Sequence, residues 1–413
     1  MKAVIIIPTY NEKGNIEQVI EILETDIFPQ IKNHDMSILV AEDSSPDGTE
    51  EAVRGLMKRW KNIDISIGEK KGLGAAYVRG MTYAIEKMNA EILFEMDADG
   101  QHDPKKIPEF LEKIDGGFDM AIGARYIKGG SIPKNWPLIR KAFSVIGNNL
   151  VKLILMRFSI HDWTGGYRAL KKEVFLKEQK ELTSFKGYTF QVSFLHKAAR
   201  DGFKIAEVPF HFSDRTLGNS KIAPREYIVD LLKYIISARI IELKRLIKFL
   251  IIGGMGFILQ VFSQELSVRI GVAFAIADFI SPVIFAFTKH HGISPLRDGV
   301  AGGIGAEIAI LSNFLLNNAW TFRDAVKLKE RSNFFIRLLK FNLTSFASIF
   351  IQATSIWTFV RLLGDNLTIF SYLIPTRLVV VIPTIIFLVV PINYFIYNRV
   401  IWKTQFLKNE KPS

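Results

Sequence analysis

The distribution of apolar residues divides this chain of 413 residues into two parts of different character. Up to about residue 240, charged residues, glycine and short apolar runs alternate, as in a water-soluble α/β protein. From about Leu246 onward, isoleucine, leucine, valine and phenylalanine dominate, in segments long enough to cross the hydrocarbon core of a bilayer. The pattern therefore predicts a soluble part followed by a membrane part.

The N-terminal sequence and the charge limit where the soluble part works and what it binds. The opening apolar run, residues 3–8, is too short for the hydrophobic region of a signal peptide, so we expect this part to stay in the cytoplasm. The absence of cysteine excludes disulfides, a thiol nucleophile and cysteine-bound zinc. The formal net charge of +12 is compatible with nucleic-acid binding, contact with anionic lipid or the positive-inside bias of a membrane protein. The long apolar segments favour the last two, and we expect no nucleic-acid partner.

The soluble part alternates short β-rich runs with stretches of helical periodicity. This alternation predicts an α/β fold, with a mostly parallel sheet and helices on both faces. Ligands of such sheets bind at the carboxyl ends of the strands, so the residues that follow each strand are candidates for a site. The predicted strands are 3–8, 37–42, 64–67, 92–96 and 119–123, and the predicted helices are 15–23, 49–58, 75–87 and 104–115.

A basic amphipathic stretch at 222–245 precedes the apolar part. It is either a surface helix packed on its own domain or a helix lying in the membrane interface, and the membrane segment that follows at once favours the second. The predicted organisation is a soluble domain at 1–221, an interface helix at 222–245, a membrane domain at 246–403 and a cytoplasmic tail at 404–413.

The membrane domain contains an internal repeat. The sequence Arg-Leu-Ile-Lys-Phe at 245–249 returns as Arg-Leu-Leu-Lys-Phe at 337–341. A segment with asparagine at both ends, 313–318, returns at 393–398, and a tryptophan follows each copy, Trp320 and Trp402. Two copies with a basic entry and a basic exit predict an all-α transmembrane domain of four helices in two hairpins. The predicted spans are about 246–268, 300–322, 341–363 and 372–397.

The apolar segment 272–298 is predicted not to cross the membrane. Basic residues follow the second span and the last span, and the positive-inside rule places both sets in the cytoplasm. With a cytoplasmic N-terminus, an even number of crossings must precede each set, so 272–298 is a re-entrant or surface excursion. Glu265 and Glu307, in the paired repeats, leave two roles open for the domain, a transport path or a hairpin anchor.

Candidate binding residues follow the first two predicted strands. After the first, Tyr10 can stack on a nucleobase and Glu12 can accept hydrogen bonds from base or ribose, although Asn-Glu also caps helices. After the second, Asp43 can bind base or ribose. A glycine-bearing turn at 70–76 leads into a helix, a possible anion site, and lacks the Gly-Lys-Ser/Thr ending of a Walker loop.

The strongest signal follows the fourth predicted strand, where the chain reads Asp97-Ala-Asp99-Gly-Gln101-His102. Two carboxylates two residues apart at a strand end are costly to hold together unless a cation lies between them or one is protonated. Hard oxygen ligands suit Mg²⁺ or Mn²⁺, and a diphosphate supplies the remaining coordination. An aspartate-rich turn before the next helix is the alternative interpretation.

Together these motifs resemble family 2 glycosyltransferases of the GT-A fold, a Rossmann-like α/β fold. Later segments are similar to dolichol-phosphate mannose synthases. The resemblance covers about residues 2–240, and the apolar part resembles the four-helix GtrA-like domain, from which 272–298 departs. The segments that carry the resemblance are 8–12, 45–49, 72–77, 97–101, 162–168, 186–191, 207–209, 214–215 and 218–221.

The resemblance implies GDP-mannose as donor, dolichyl phosphate as acceptor, the lipid bilayer as partner and a Mg²⁺ or Mn²⁺ cofactor. It also implies the product, dolichyl β-D-mannosyl phosphate, formed with inversion by an integral membrane enzyme whose catalytic domain and C-terminus are cytoplasmic. Asp99 and Gln101 would hold the metal. The implied nucleotide-sugar site is Pro8, Tyr10, Glu12, Asp43, Asp97, Ala98 and Lys221, the implied acceptor-phosphate site is Arg125, Arg140 and Ser144, and the implied catalytic residues are Asp99, Arg125 and Arg215.

The chemistry can also be argued without the family. A phosphate monoester has its second pKa near ~6, so at neutral pH it is already a nucleophile and needs no general base. The enzyme must hold two anions together and stabilise the departing diphosphate. Two alternatives stay open: a polyprenyl-phosphate glucosyl- or aminosugar transferase of the same fold, and a lipid-linked-sugar flippase with a regulatory nucleotide domain. For Arg140 the alternative is snorkelling beside an interfacial helix.

Overall fold

The computed structural model describes residues 1–182, 187–213, 225–288, 293–328, 333–369 and 372–402. The chain forms two compact units, Met1–Ile240 and Ile241–Ser413.

The first unit is built on a seven-stranded, mostly parallel sheet with the order β3-β2-β1-β4-β6-β5-β7. Only β6 runs antiparallel to its neighbours, β4 and β5. The long apolar runs of β1, β2 and β4 are buried on both faces, which is typical of central strands in such a sheet. The strands are β1 Lys2–Thr9, β2 Asp35–Glu42, β3 Ile63–Ile67, β4 Ile92–Glu95, β5 Met120–Ala124, β6 Arg168–Lys171 and β7 Ile205–Pro209.

Helices cover both faces of this sheet and form two apolar cores. Alternate residues of β1 point to opposite sides, so Val4 and Ile6 enter one core and Ile5 and Ile7 the other. The first core includes α3, α5, α6 and α7, and the second includes α1, α2 and α4. The helices are α1 Lys13–Ile22, α2 Thr49–Arg59, α3 Leu73–Met88, α4 Ile107–Asp115, α5 Leu138–Leu155, α6 Lys172–Leu182 and α7 Gly187–Asp201.

The α/β prediction is confirmed, and the five predicted strands and four predicted helices agree with β1–β5 and α1–α4 to within a few residues. The sequence did not predict β6 or β7. Each is only four or five residues long, and β6 begins with Arg168 and ends with Lys171, so neither carries a strong apolar run.

The predicted interface helix is part of a longer helix, α8, which spans Arg225–Arg269 and contains the boundary between the two units. Part of its apolar face is covered by protein: Ile235 is buried in the first core, with Leu231 and Leu232 packed against that core. The Tyr234 hydroxyl lies 2.9 Å from Nδ1 of His196 on α7. This stretch thus packs partly on its own domain, while Ile236, Ile240 and Ile241 are exposed. That it lies in the membrane interface stays a prediction.

Within the described residues, four helices are long and apolar enough to cross a membrane. They fall at Ile228–Arg269, Leu296–Thr321, Phe334–Leu363 and Val379–Ile401, in agreement with the four predicted spans. The remaining helices after α8 are α9 Val272–Thr288, α10 Ile293–Leu316, α11 Arg323–Leu328, α12 Phe334–Leu363, α13 Thr376–Thr384 and α14 Val390–Ile396.

Two details of the second unit concern the predicted spans: where the last span begins, and what the segment 272–298 contains. The last span was predicted to begin at 372, but Tyr372–Pro375 forms a strand, β9, paired with β8 at Asn366–Ile369, and helix begins only at Thr376. The segment predicted as an excursion contains the short apolar helix α9, interrupted by Pro282. That α9 does not cross the membrane stays a prediction.

The internal repeat is visible in the packing of the second unit. Phe249 and Phe341 hold equivalent positions in the two copies, and each contacts an aromatic ring of the other copy. The ring centroids of Phe249 and Tyr394 are 5.6 Å apart, and those of Phe341 and Phe314 are also 5.6 Å apart. Tyr394 lies 80 residues after Phe314. Equivalent pairs that exchange partners in this way indicate a pseudo-twofold relation between the two hairpins.

The end of each repeat carries a π-helical turn, at Asn317–Thr321 and at Tyr397–Ile401. Directly after these turns, Phe322 and Trp402 stack with centroids 4.3 Å apart and planes within 8°. These two residues are 80 positions apart, the same offset as Phe314 and Tyr394, so the repeat partner of Trp402 is Phe322. This corrects the pairing of Trp402 with Trp320 that the repeated sequence suggests. The two stacked rings thus come from equivalent positions, each directly after a π-helical turn.

Close contacts within each hairpin also correspond. In the second copy, Ser348 donates a hydrogen bond to Oδ1 of Asn393 at 2.9 Å. The equivalent residues of the first copy are Gly256 and Asn313, and a Cβ on Gly256 would collide with the amide of Asn313. Gly256 thus allows α8 and α10 to approach closely, as small residues do in membrane helices.

We predict that Gly256→Val forces α8 and α10 apart, because overpacking a tight contact costs about 1–3 kcal/mol. Gly254→Val is the matched control, since a Cβ on Gly254 meets nothing within 4 Å and both glycines lie on the same helix. The measurement is the fraction of detergent-solubilised protein that stays soluble after a temperature ramp. Equal loss for both variants would count against the proposed contact.

Candidate active site

The carboxyl ends of β1, β2 and β4 meet at one edge of the sheet, and the start of β6 joins them there. The parallel register pairs Thr9 with Glu42, so the residues after β1 and β2 are neighbours. Because β6 is antiparallel to β4, its first residue, Arg168, pairs with Glu95, the last residue of β4. The predicted residues that follow β1, β2 and β4 therefore lie at a single edge of the sheet.

The residues after β1 form an open surface. Tyr10 is exposed, and Nζ of Lys70 lies 3.3 Å from the centre of its ring. Glu12 is the N-cap residue of α1, but its side chain makes no capping hydrogen bond and instead accepts one from Asn15 at 2.6 Å. Pro8 lies inside β1, opposite Ala41. The exposed ring of Tyr10 can stack on a flat ligand.

Asp43 follows β2 and is buried. Its Oδ1 accepts a hydrogen bond from Nη2 of Arg79 at 2.8 Å, and the same nitrogen donates to the carbonyl oxygen of Glu42 at 3.0 Å. Burial raises the pKa of Asp43, and the ion pair with Arg79 works in the opposite direction. The ion pair with Arg79 thus favours the charged form of the Asp43 carboxylate at the end of β2, and it is made through Oδ1.

Asp97 follows β4 and is held from two sides. The hydroxyl of Tyr77 donates to its Oδ1 at 2.9 Å, and its backbone N–H donates to Nδ1 of His102 at 3.0 Å. His102 stacks on Tyr167 with centroids 4.8 Å apart. Burial lowers the pKa of His102 to about 4, so the ring is neutral at neutral pH and carries its proton on Nε2. The loop between Asp97 and His102 is therefore fixed in position before any ligand binds.

The other predicted metal residues lie in this loop. Asp99 and Gln101 are buried, with Ala98 buried between the two aspartates. The Gln101 backbone N–H donates to Oδ1 of Asp99 at 3.1 Å, and its side-chain Nε2 donates to the carbonyl oxygen of Ser213 at 3.2 Å. With Nε2 engaged, Oε1 is the atom that the amide can offer to a cation.

This donor set fits a divalent cation that the substrate completes. Among the described residues, no group of three or more His, Cys, Asp or Glu side chains could hold a metal ion by itself. A carboxylate and an amide oxygen are the ligands that Mg²⁺ and Mn²⁺ accept, with phosphate oxygens supplying the rest.

A buried ion pair lies beneath the site. Arg168 and Glu95 are both fully buried, with Nε of Arg168 3.8 Å from Oε2 of Glu95. Burial raises the pKa of Glu95 to about 7, and the positive charge of Arg168 opposes that rise. The sequence reasoning did not identify this pair, although Arg168 ends the segment 162–168 that it quoted.

Arg125 follows β5 and has a strong partner, Asp162. Nε and Nη2 of Arg125 donate to Oδ2 and Oδ1 of Asp162, both at 2.7 Å, and the Arg125 backbone N–H donates to Oδ2 at 3.0 Å. Nη2 also donates to the Thr164 hydroxyl at 2.8 Å. Burial would raise the pKa of Asp162, but this pairing outweighs it and the pKa lies below its ordinary value. Asp162 therefore fixes Arg125 and offsets its charge.

Arg140 and Ser144 lie one turn apart on α5, and aromatic side chains connect them to Arg125. The guanidinium of Arg140 stacks over Trp136 at 3.8 Å, and the ring of Trp136 lies 5.7 Å from that of Phe212. Phe212 in turn lies 5.3 Å from the guanidinium carbon of Arg125. On the other side, Ser144 Oγ is 2.6 Å from the hydroxyl of Tyr126. The links among the three predicted acceptor residues thus run through aromatic side chains.

The outer face of α5 exposes a row of large apolar side chains, which suits contact with a lipid chain. Its members are Leu138, Ile139, Phe143, Ile146, Leu150 and Leu153. Two further predicted site residues, Arg215 and Lys221, lie outside the described residues.

Sequence reasoning missed the side chains that support the site. His102 was read as part of a motif without a role, and Asp162 was quoted without its partner. The signal for Asp162 is its place in a segment that resembles the family, 162–168, while His102 lies just after the segment 97–101.

Comparisons with known proteins match both parts of the chain to described families. Residues 4–177 match the family model described as glycosyl transferase family 2, and residues 248–402 match the GtrA/DPMS transmembrane domain. A dolichol-phosphate mannosyltransferase of Pyrococcus furiosus is 32% identical over 362 residues, which are 86% of this chain and 90% of that protein.

Two bacterial proteins are similar to the first part of the chain. A polyprenol monophosphomannose synthase of Mycolicibacterium smegmatis is 37% identical over 224 residues, 54% of this chain and 81% of that protein. An undecaprenyl-phosphate mannosyltransferase of Micrococcus luteus is 34% identical over 243 residues, 58% of this chain and 96% of that protein.

A mostly parallel sheet with carboxylates at a strand end, in a chain with four helices long and apolar enough to cross a membrane, is typical of a membrane-bound glycosyltransferase. The chain belongs to glycosyl transferase family 2 and carries a GtrA/DPMS transmembrane domain. It is therefore an integral membrane protein.

Proposed function

We propose that this protein transfers mannose from GDP-mannose to dolichyl phosphate, giving dolichyl β-D-mannosyl phosphate and GDP. What supports the proposal is that aromatic contacts link the 97–102 loop to Arg140: His102 lies 6.3 Å from Phe212, and Phe212 lies 5.7 Å from Trp136, on which Arg140 stacks. The carboxylates of Asp97 and Asp99 can bind a diphosphate through a metal ion, and Arg140 with Ser144 can bind a phosphate. Relatives that are named for mannosyl transfer to polyprenyl phosphates support the choice of sugar and acceptor.

For the donor, we infer that the base stacks on Tyr10 and that Glu12 and Asp43 accept hydrogen bonds from base and ribose. Pro8 and Ala98 line the backbone of the same edge. Asp99 and Gln101 would hold Mg²⁺ or Mn²⁺, which when bound neutralises charge on the departing diphosphate. Lys221 and Arg215 are proposed to close over the diphosphate.

For the acceptor, we infer that Arg140 binds the lipid phosphate and that Ser144 donates a hydrogen bond to it. Arg125 is proposed to act at the same phosphate, with its orientation set by Asp162. A planar guanidinium binds two phosphate oxygens at once, which orients the third oxygen for attack. The exposed apolar face of α5 then fits the prenyl chain.

The reaction follows from this arrangement. The acceptor phosphate is mostly dianionic, because its second pKa is near ~6, and so it attacks the anomeric carbon without a general base. One carbon–oxygen bond forms on one face as the bond to the diphosphate breaks on the other. An α-linked donor therefore gives a β-linked product.

We further propose that the catalytic unit and both repeat ends face the cytoplasm, because Arg323 follows the second span and Lys403 follows the last. Since the chain has no cysteine, a single cysteine at Lys327 is a clean reporter. We expect it to react with an impermeant thiol reagent only from the cytoplasmic side. Reaction from the outside of sealed vesicles that keep the cell's orientation would refute the proposed topology.

Transfer is expected to need the metal held by Asp99. EDTA should abolish transfer by the wild type, and Mg²⁺ or Mn²⁺ should restore it. Asp99→Ala should lower the rate at least about a hundredfold in the presence of metal, because it removes a charged contact that acts on the leaving group. Asp103→Asn, in the same loop, is the control for loss of a nearby carboxylate. Full wild-type activity in EDTA would rule out the metal.

The proposed acceptor site predicts a selective loss in Arg140→Ala. A charge-assisted contact is worth about 1.5–3 kcal/mol, so the rate at limiting dolichyl phosphate should fall roughly ten- to a hundredfold while GDP affinity stays the same. Arg140→Lys should recover only part of the loss, and Lys152→Ala, further along α5, should have little effect. If Arg140→Ala weakens GDP binding as much as acceptor use, the residue belongs to the donor site.

A transfer assay with a panel of nucleotide sugars and polyprenyl phosphates tests the function as a whole. Preference for another sugar, such as glucose or an aminosugar, would favour the alternative transferase. Sugar-lipid movement across vesicles without transfer would favour a flippase.

A further inference from the structure

Two glutamates in the apolar helices of the membrane unit differ in their surroundings. Glu265, near the end of α8, accepts a hydrogen bond from Nε of Arg269 at 2.8 Å, so its charge is paired. Glu307, on α10, is exposed, and it makes no hydrogen bond or ion pair within the part of the chain that the structure describes. The contacts of a single chain therefore do not account for Glu307.

Glu307 lies near the middle of its span. The span runs from Leu296 to Thr321, so eleven residues precede Glu307 and fourteen follow it. At about 1.5 Å per residue these lengths are about 17 and 21 Å, which places the carboxyl near the centre of a hydrocarbon core about 30 Å thick. An ionisable side chain at this depth is costly in lipid, and such residues normally face another helix or a functional site.

No other span carries a charge at a comparable depth. The central stretches of the other three spans, 249–264, 341–360 and 378–398, contain no Asp, Glu, Lys or Arg. An ion pair between Glu307 and a basic residue in the middle of another span of this chain is therefore excluded by the sequence.

The second repeat shows which side chains occupy the equivalent outer face. The residue 80 positions after Glu307 is Phe387, which is 74% exposed, and the residue before it, Ile386, is also exposed. Their counterparts on α10 are Glu307 and Ala306. The outer face of α10 thus carries a carboxyl and a small side chain where the second repeat carries bulky apolar ones, and this composition suits contact with a helix better than contact with lipid.

Glycines continue this face toward the start of α10. Gly299, Gly303 and Glu307 are four residues apart, so they share one side of the helix, and all three are exposed. A Cβ on Gly299 or Gly303 would meet nothing within 4 Å, although α9 also contacts α10. Gly305 differs, because a Cβ there would lie 2.6 Å from the carbonyl oxygen of Gln260 on α8. The outward glycines weaken the helix without serving a contact in the described unit, and they leave room for another helix.

We propose that this face of α10, formed by Gly299, Gly303, Glu307 and Leu311, binds the same face of a second copy of the chain. Two copies in one membrane share their orientation, so the twofold axis of the dimer runs along the membrane normal and equivalent residues meet at equal depth. The two Glu307 side chains then lie beside each other. A carboxyl that carries its proton has a donor and an acceptor, so the two groups can bond reciprocally and leave the lipid.

A second copy fits this face better than an unrelated helix does. The partner must supply a polar group at the depth of Glu307 and little bulk beside it. The face itself meets both requirements, since Gly303 and Gly299 lie one and two turns before the carboxyl. The two α10 helices would run parallel, and parallel helices with glycines four apart form close right-handed pairs in membranes. The inference does not depend on the donor or the acceptor of the transfer reaction.

Disulfide cross-linking in membranes tests the pairing, because the chain has no cysteine of its own. Leu311→Cys lies one turn after Glu307 on the same face, and mild oxidation should convert this variant to a disulfide-linked dimer. Phe387→Cys is the matched control, since it is the repeat equivalent of Glu307 and is more exposed than Leu311. The control should stay largely monomeric under the same conditions.

Substitutions on the face, each combined with Leu311→Cys, should change association in a defined order. Glu307→Leu should raise the dissociation constant of the dimer about three- to thirtyfold, as expected for the loss of one or two interhelical hydrogen bonds. Glu307→Gln keeps a donor and an acceptor and should retain the dimer. Gly303→Leu should abolish cross-linking by separating the helices, whereas Gly254→Leu, at an open glycine of α8, should not. The constant is obtained from the cross-linked fraction as the protein is diluted with lipid.

The proposal is overturned if Leu311→Cys gives no linked dimer or links no more than Phe387→Cys. A linked product whose mass is not twice that of the chain would identify a different protein as the occupant of the face. If Glu307→Leu does not weaken the dimer, the carboxyl has no part in it. Transfer activity is not the readout, so an error in the proposed reaction would leave each of these outcomes unchanged.

Discussion

The buried ion pair between Arg125 and Asp162 connects the elements that surround the site. Arg125 directly follows β5, and Asp162 lies in the loop before β6. The same loop is bound to β7, because Glu207 accepts hydrogen bonds from the backbone and ring of His161 at 2.7 Å. It is bound to α5 through Asn148, whose Oδ1 accepts from the Trp163 backbone N–H at 2.7 Å. Breaking one partner of such a buried pair typically costs about 3–5 kcal/mol, so the arrangement of the site depends on it.

The helices of the membrane unit associate through interactions that differ from those of the soluble unit. Lipid offers no hydrogen bonds and little hydrophobic driving force between helices, so association relies on close packing and a few polar contacts. Asn318 is one such contact, accepting from Arg337 at 3.2 Å and from the indole of Trp402 at 3.3 Å. It lies in the first π-helical turn, beside the stacked rings of Phe322 and Trp402. Duplication of one hairpin thus gave two equivalent helix ends that pack on each other.

Much of this could be predicted from the sequence, for physical reasons that also explain the failures. The strands β1, β2 and β4 are continuous apolar runs, which predict buried strands. The two carboxylates in the loop after β4 predict a cation site. The four spans follow from length and hydropathy. What could not be predicted is non-local: Asp162 lies 37 residues from Arg125, and only the antiparallel placement of β6 brings Arg168 opposite Glu95. The roles of Pro8, Glu12 and Asp43 toward a nucleotide remain predictions.

The environments of the two arginines at the proposed acceptor site imply a division of labour. Arg125 is buried and its charge is largely balanced by Asp162, so it contributes a fixed direction more than a net attraction. Arg140 is less buried and stacks on Trp136, which orients the guanidinium without neutralising it. Long-range attraction of an anionic lipid headgroup should therefore come mainly from Arg140, and it should weaken with salt because this group is partly in water. Alignment at close range depends on Arg125, which salt should affect far less.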